Sequence, residues 1–334
     1  MEKGEGRMKI LVTGGAGYIG SVTVRELIRA GYDIVVADDL SAGFRQAVHP
    51  RAGFYRIDIR DRAALDGLFA KERIDGVLHF AGFSEVGESM RDPLGCYDRN
   101  LGGTLSLLET MAERGVSRLV FSSSAAVYGL PERLPIREED RTSPVSPYGE
   151  TKLAAERLLD WAGRAGLTHV SLRYFNACGA DPAGDLGEAH HPETHLIPLI
   201  LQVPNGQRDR ILVFGDDHPT RDGTCVRDYV HVSDLARAHI LALDYLLRGG
   251  ESQVFNLGSG RGYTVREVIE AARTITGRRI PTETAPGREG DPPALVASPE
   301  KARRVLGWKP DYDTIEEMIS SAWSWHRKHP DGYR

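Results

Sequence analysis

The sequence predicts an α/β protein: a doubly wound parallel sheet followed by a smaller mixed α/β domain. Three observations carry that expectation. From Lys9 onward, short β-branched apolar runs alternate with amphipathic stretches, the pattern of strands joined by helical crossovers. A glycine-rich turn, Gly14 to Gly20, follows the first run directly and opens the first helical stretch. Beyond about Ala180 the segments become shorter and more mixed, which marks a second unit.

The elements follow in order. Ile10-Leu11-Val12 reads as a buried strand, and the helical stretch after the turn puts Val24, Leu27 and Ile28 on one face. Ile34 to Ala37, Gly76 to Phe80, Leu119 to Phe121 and Val170 to Leu172 continue the strand series. Helical periods run from Leu101 to Glu113 and from Tyr148 to Ala165. Residues 181 to 194 are rich in Pro, Gly, Asp and His, the composition of a long loop over a site. Asp234 to Leu247, Val265 to Thr276 and Ile315 to Trp325 read as helices, and Val254 to Leu257 as a strand. The expected division is residues 8–180 for a dinucleotide-binding domain and 181–334 for a substrate domain, with some later segments packing back on the first.

Composition excludes several classes. A chain of 334 residues with 41% hydrophobic side chains can bury a sizeable core. Its formal net charge of -5 argues against nucleic acid as a partner, because phosphate binding favours a basic surface. No stretch approaches the roughly 18 consecutive apolar residues of a membrane helix. Met1 to Arg7 is polar, without the apolar core of a secretory signal, and is expected to be a short disordered leader. Cys96, Cys178 and Cys225 are widely spaced, giving neither a disulfide framework nor a zinc pattern, so no metal is expected and a reducing cytoplasm fits.

The turn Thr13-Gly14-Gly15-Ala16-Gly17-Tyr18-Ile19-Gly20 reads as Gly15-x-Gly17-x-x-Gly20 or as Gly14-x-x-Gly17-x-x-Gly20. Glycines there permit a tight turn, close approach of a pyrophosphate and helix–strand packing, while the helix N-terminus offers unpaired N–H groups. Alone the pattern is weak. Its strand-to-helix context and the acid at Asp38 strengthen it, since a carboxylate there accepts ribose hydroxyls and repels a 2′-phosphate. The reading is a Rossmann sheet that binds NAD rather than NADP. Asp58 and Ile59, after the third strand, are placed to hold the adenine edge, although an ordinary surface acid reads almost as well.

Tyr148 and Lys152 lie one turn apart on a single helix face. A phenol is a poor base at neutral pH, and a neighbouring cation is expected to lower its pKa. Ser124 ends a strand of the same sheet, where its hydroxyl can relay a proton from a substrate alcohol to Tyr148. Without the glycine turn, a solvated helix pair and a polar strand end would be the simpler readings.

Together, Thr13-Gly-Gly-x-Gly-x-x-Gly20, His79-Phe-Ala-Gly82, Asn100, Ser122-Ser-Ser124 and Tyr148-x-x-x-Lys152 resemble the extended short-chain dehydrogenase/reductase superfamily, and within it the UDP-glucose 4-epimerase family. The resemblance runs from Met8 to about Tyr333. Its more specific parts are Arg173-Tyr-Phe-Asn176, Gly184 to Glu188, Val213 to Gly223, Val226 to His231, Asn256-Leu-Gly258 and Arg288-Glu-Gly-Asp291.

The resemblance implies C4 epimerisation of a UDP-hexose with NAD as resident cofactor and a homodimer built on the helices near Leu101 to Glu113 and Tyr148 to Ala165. It makes Ser124, Tyr148 and Lys152 catalytic. It gives NAD the turn from Gly14 and Gly17 through Tyr18, Ile19 and Gly20, with Asp38, Asp39, Asp58, Ile59, Phe80, Ala81, Gly82, Asn100, Lys152 and Phe175. It gives the UDP-sugar Asn176, His195, Leu196, Phe214, Arg227, Tyr229, Arg288, Asp291 and Leu295, alongside Ser124 and Tyr148. Two arginines suit a diphosphate.

Three positions depart from the family pattern. Ser84 stands where some members carry Lys, which loosens one cofactor contact. His195 replaces an Asn and can still donate to a phosphate or sugar hydroxyl. Leu295 stands where glucose/galactose-restricted members often carry Tyr, leaving room for a 2-N-acetyl group, so UDP-GlcNAc/UDP-GalNAc is a second expected pair. A 4,6-dehydratase needs an acid/base pair where this chain has Ala125 and Ala126. A UDP-glucuronate or UDP-pentose 4-epimerase would share the catalytic trio and stays open on sequence. A non-catalytic dinucleotide sensor would be expected to have lost the Tyr/Lys pair, which is intact here.

Overall fold

The computed structural model describes residues 7–288 and 291–334; the rest of the expected leader, and Glu289 and Gly290 of the Arg288–Asp291 motif, lie outside them. The first half runs β1 (Lys9–Thr13), α1 (Tyr18–Arg29), β2 (Asp33–Ala37), β3 (Gly53–Tyr55), α2 (Arg62–Lys71), β4 (Gly76–His79), α3 (Val86–Arg91), α4 (Pro93–Tyr97), α5 (Gly103–Glu113), β5 (Arg118–Ser124), α6 (Pro147–Gly163) and β6 (Thr168–Tyr174). The second half supplies β7 (Asn176–Cys178), α7 (Leu196–Gln202), β8 (Ile211–Phe214), β9 (Val226–Arg227), β10 (Tyr229–His231), α8 (Val232–Leu247), β11 (Gln253–Leu257), β12 (Tyr263–Thr264), α9 (Val265–Thr276), β13 (Thr282–Ala285), β14 (Ala294–Leu295), α10 (Glu300–Leu306) and α11 (Ile315–Lys328).

Seven strands form one sheet in the order β11-β6-β5-β4-β1-β2-β3, every pair parallel. The chain reverses its direction of travel between β1 and β4, and ligands of such sheets bind outside the strand ends at that point. The seventh strand comes from beyond residue 181, so the sheet draws on both halves of the sequence.

Strand residues bury both faces by alternation. Ile10, Val12, Ile34, Val36, Leu78 and Val120 pack with Leu27 of α1 and Leu235 and Leu243 of α8. Leu11, Val35, Val77, Leu119 and Phe121 pack on the other side with Leu65 of α2, Leu107 of α5 and Leu159 of α6. A separate core joins Ile197 and Leu201 of α7, Val213 of β8, Val268 of α9 and Met318 of α11.

Local chemistry sets the helix that carries Tyr148. Ser146 caps α6, its side chain accepting from Gly149 N at 3.2 Å, and Pro147 occupies the first turn. The expected helix from Leu101 begins differently: Asp98–Gly102 form a π-helical turn before α5. Such turns concentrate at functional sites, and this one contains Asn100.

Candidate active site

The glycine turn is a cradle that side chains would fill. Gly14 has φ +73°, and a Cβ there would lie 2.5 Å from Ala81 N. At Gly20 a Cβ would lie 2.2 Å from the Gly14 carbonyl oxygen. Gly17 is the N-cap of α1 and no side chain caps it, so the first helical N–H groups face the turn. These features fit a dinucleotide pyrophosphate. Asp38 is buried; its Oδ2 accepts from Ala16 N at 2.9 Å and its Oδ1 from Leu40 N at 2.9 Å. Burial pushes this carboxyl up against those two bonds. An ionised carboxylate has about four lone-pair sites, so acceptors remain for ribose hydroxyls.

The other residues expected around the cofactor divide into two groups. Phe80 and Ala81 follow β4 directly beneath the turn, and the Phe80 ring stacks on His239 at 4.5 Å. Asn100 is buried beside Gly82, with Oδ1 accepting from Phe83 N at 2.6 Å and Nδ2 donating to Thr151 Oγ1 at 2.9 Å. Its carboxamide is thus spent bracing the loop after β4 against α6. Tyr18 donates its hydroxyl to the Gly179 carbonyl at 2.6 Å, tying the turn to the second half of the chain. Ile19 packs on the core, and Ile59 lies buried under Gly103. Asp39 accepts from Ser41 N and Oγ, while the Arg60 guanidinium holds Asp58 below the usual carboxylate range. Ser84 is exposed.

Ser124, Tyr148 and Lys152 meet at the carboxyl end of β5. Lys152 is buried, donating Nζ to the Ser122 carbonyl at 2.8 Å, and sits 5.9 Å from the Tyr148 ring centre. Burial pushes its ammonium down to about 8. The phenol departs from expectation: burial pushes Tyr148 up, and a hydrogen bond with Ser124 only partly offsets it. The helix spacing predicts the neighbouring cation, but the desolvation of a side chain only 8% exposed outweighs it.

The residues expected to hold the UDP-sugar line the second half. Arg227 and Asp291 engage each other, and Arg227 Nη1 also donates to the Val226 carbonyl at 2.8 Å. The Arg288 guanidinium lies 4.2 Å over the Phe214 ring. Leu295 pairs with Arg227 across β14 and β9 and packs on a cluster containing Phe175, Ala125 and Leu153. Asn176 donates Nδ2 to the Asp228 carbonyl at 2.8 Å, and Tyr229 is buried in the second core. His195 is the N-cap residue of α7 and Leu196 begins it. Burial alone would lower the His195 imidazole, but Glu188 and Glu193 outweigh it and push it up to about 11.

Three positioning residues escaped the sequence reading. His79 is buried between Thr13 Oγ1 at 2.7 Å and Thr104 Oγ1 at 3.0 Å, and burial pushes it down to about 3, so it bridges β1 and α5 as a neutral ring. Glu156 pairs with Arg173 beneath the trio. Asp228, inside a quoted motif but given no role, accepts from Ser259 N, Gly260 N and Ala297 N at 2.8, 3.1 and 3.0 Å. It binds together the loops that carry Arg227 and Leu295.

This fold and its glycine cradle define a dinucleotide-dependent enzyme. The chain belongs to the NAD dependent epimerase/dehydratase family, which it matches over residues 10–258. It is 56% identical over 327 residues to a UDP-glucose 4-epimerase of Lacticaseibacillus casei, covering 98% of this chain and 99% of that one. The UDP-glucose 4-epimerase of Bifidobacterium longum, solved in complex with NAD+ and UDP, superposes with a TM-score of 0.93 at 41% identity, over 98% of this chain and 100% of that one. The UDP-Glc/GlcNAc 4-epimerase of Campylobacter jejuni superposes with a TM-score of 0.85 at 41% identity, over 96% and 99% of the two chains.

Proposed function

We infer that this chain is an isomerase that inverts C4 of a UDP-hexose with NAD, interconverting UDP-glucose and UDP-galactose. The observation that carries the reading is the convergence of Ser124, Tyr148 and Lys152 beside the Gly14–Gly20 cradle. Bound NAD+ supplies a reversible hydride acceptor at the sugar C4. Tyr148 takes the C4 hydroxyl proton, directly or through Ser124, and returns it after the sugar has turned. Lys152 holds positive charge close to the phenol, which works against the burial that keeps it protonated. Arg227 and Arg288 grip the diphosphate, releasing Asp291 from its ion pair to meet the nucleotide, while the pocket beside Leu295 leaves the 4-keto sugar free to rotate. Ala125 and Ala126 supply no acid/base pair for dehydration.

The same reading assigns residues 8–180 to the cofactor and 181–334 to the UDP-sugar, with α8 and β11 packed back on the first sheet. Leu295 favours UDP-GlcNAc/UDP-GalNAc as a second pair; the UDP-glucuronate or UDP-pentose alternative shares the trio and is an arm of the test. No helix among the described residues is long and apolar enough to cross a membrane, and we place the enzyme in the cytoplasm. α5 and α6 leave Leu105 and Trp161 exposed, which supports a homodimer through those helices. The deciding experiment denatures the purified protein to look for released NAD. The native enzyme is then incubated with UDP-galactose, UDP-GalNAc and UDP-glucuronate without added cofactor. Product from none of them overturns the epimerase reading.

A further inference from the structure

The long loop before α7 gathers four ligand-type side chains outside the catalytic trio. Glu188, His190, Glu193 and His195 each offer one atom, all within 4.8 Å of one another. His195 Nδ1 lies 3.0 Å from Glu188 Oε1 and 3.1 Å from Glu193 Oε1. His190 Nδ1 lies 3.4 Å from Glu188 Oε1 and 3.6 Å from Glu193 Oε2. For a tetrahedral ion with bonds of about 2.0–2.1 Å, adjacent ligand atoms stand roughly 3.3 Å apart. These imidazole–carboxylate separations fall around that edge, with Glu193 meeting His195 through Oε1 and His190 through Oε2.

We propose that Glu188, His190, Glu193 and His195 form a binding site for a divalent transition metal of the zinc class. Two observations favour this over a plain cluster of ion pairs. Both carboxylates are nearly out of solvent, with side chains 5% and 7% exposed, and a bound dication would neutralise them in place of the protons that the paired imidazoles otherwise carry. His190 Nδ1 is buried and has no hydrogen-bond partner although carboxylate oxygens surround it. A ring nitrogen among carboxylates at these spacings suits coordination. Two imidazoles and two carboxylates are a donor set for zinc rather than for calcium or magnesium. Ions have a route in: a surface cleft of about 150 Å³ is lined by Glu188, His190, His191, Glu193, Trp325 and His326.

The ion would cross-link the loop to the start of α7, fixing the segment that presents His195 and Leu196 to the substrate side. The cysteines gave no hint of it, because its ligands are Glu and His within eight residues, on an irregular segment with no helical spacing. The site stands independently of the epimerase assignment, since metal uptake is read without any substrate.

Untagged, NAD-bearing protein, stripped with a chelator and titrated with zinc chloride by calorimetry, should bind one ion per chain with a Kd at or below about 1 µM. The thermal midpoint should rise with zinc. His190→Ala should weaken binding at least about 100-fold, more than loss of an outer-sphere partner. His191→Ala, on the same cleft but outside the four, should bind as the parent does. Glu188→Gln is a second ligand variant, and retained NAD content shows that each variant is folded. Absence of saturable one-to-one binding in the parent overturns the site. So does equal affinity in folded His190→Ala, which would place the ion elsewhere.

Discussion

Glu156 stands one helical turn beyond Lys152 on α6 and grips Arg173 with both carboxylate oxygens, Nη2 to Oε2 at 2.6 Å and Nε to Oε1 at 2.9 Å. The pair is buried, and Arg173 also donates to the Tyr128 hydroxyl at 2.9 Å while Ser123 donates to Glu156 at 2.5 Å. Positions 148, 152 and 156 share one helix face, so this clamp seats that face of α6 on β5 and β6 at the strand end where Ser124 lies.

Glu156→Gln keeps the shape and removes the charge, leaving Arg173 buried without its counter-ion. Breaking such a pair costs about 3–5 kcal/mol. Urea unfolding should show a loss in that range with an unchanged m-value. A loss under about 1 kcal/mol would mean that the clamp does not hold α6.

Lys152 carries a stability cost in the fold. Its folded pKa, pushed down to about 8, lies below the ordinary 10.5. The unfolded chain therefore binds the extra proton between those values, and stability rises with pH across that window. The penalty, about 3 kcal/mol at 1.36 per unit, is full below pH 8 and gone above about 10.5. Lys152→Met should remove it, less about 1.5–3 kcal/mol for the lost charge-assisted bond to the Ser122 carbonyl. The variant should be at least as stable as the parent at pH 7, and lose ground to it as pH rises through 8 to 10.5. Its kcat should fall at least about 100-fold. Thermal melts across pH 6 to 10 decide it; a destabilised variant at pH 7 contradicts the argument.

Gly20→Ala tests the cradle. The new Cβ would sit 2.2 Å from the Gly14 carbonyl oxygen, a backbone atom that cannot swing aside. The turn must open, and the variant should purify with little or no NAD while its far-ultraviolet dichroism stays near that of the parent. Full NAD content in the variant refutes the turn as the pyrophosphate seat.

How much of this was legible in the sequence depends on the range of the interaction. The strand series, the glycine turn and the Tyr148/Lys152 spacing are local patterns, and the structure places those strands in one parallel sheet. Only Leu101 and Gly102 of the π-helical turn at Asp98–Gly102 fall within the expected helix, and a one-residue slip in hydrogen bonding leaves apolar periodicity almost unchanged, so the turn carries no sequence signal. Long-range pairings were invisible. Nothing local to Glu156 announces Arg173, and nothing local to Asp228 announces Ser259, Gly260 and Ala297. The same blindness explains Tyr148: the helix spacing revealed its cation, while the burial that raises its pKa comes from elements distant in sequence.

Asp228 gives the clearest test of those distant pairings. Asp228→Ala would leave the buried Ala297 N–H without its partner and remove the bonds to Ser259 N, the Ser259 hydroxyl and Gly260 N. The unsatisfied donor costs about 1–3 kcal/mol and each other lost bond about 0.5–1.5 kcal/mol, so a loss of at least about 2.5 kcal/mol is expected, with KM for UDP-galactose rising as Arg227 and Leu295 lose their support. A stable variant with unchanged KM would show that the loops are held by other contacts.

The proposal that Leu295 governs sugar choice has a direct test. It lies on β14 directly across from Arg227 on β9 and packs on the apolar cluster that includes Phe175 and Ala125. Its backbone carbonyl accepts from Asp228 N at 3.0 Å, so the main chain is held and a substitution acts through the side chain. Tyr at this position would extend a ring and hydroxyl beyond the Leu methyls, toward the space assigned to a 2-N-acetyl group. Filling a pocket by a few heavy atoms discriminates by about 1–3 kcal/mol, which corresponds to roughly 10- to 200-fold in kcat/KM. Leu295→Tyr should therefore lower turnover of UDP-GalNAc by that factor while UDP-galactose changes little. The ratio of the two kcat/KM values is the quantity to measure, because it cancels any general loss of folded enzyme. If the ratio stays where it was, the gate lies at another residue and Leu295 only packs.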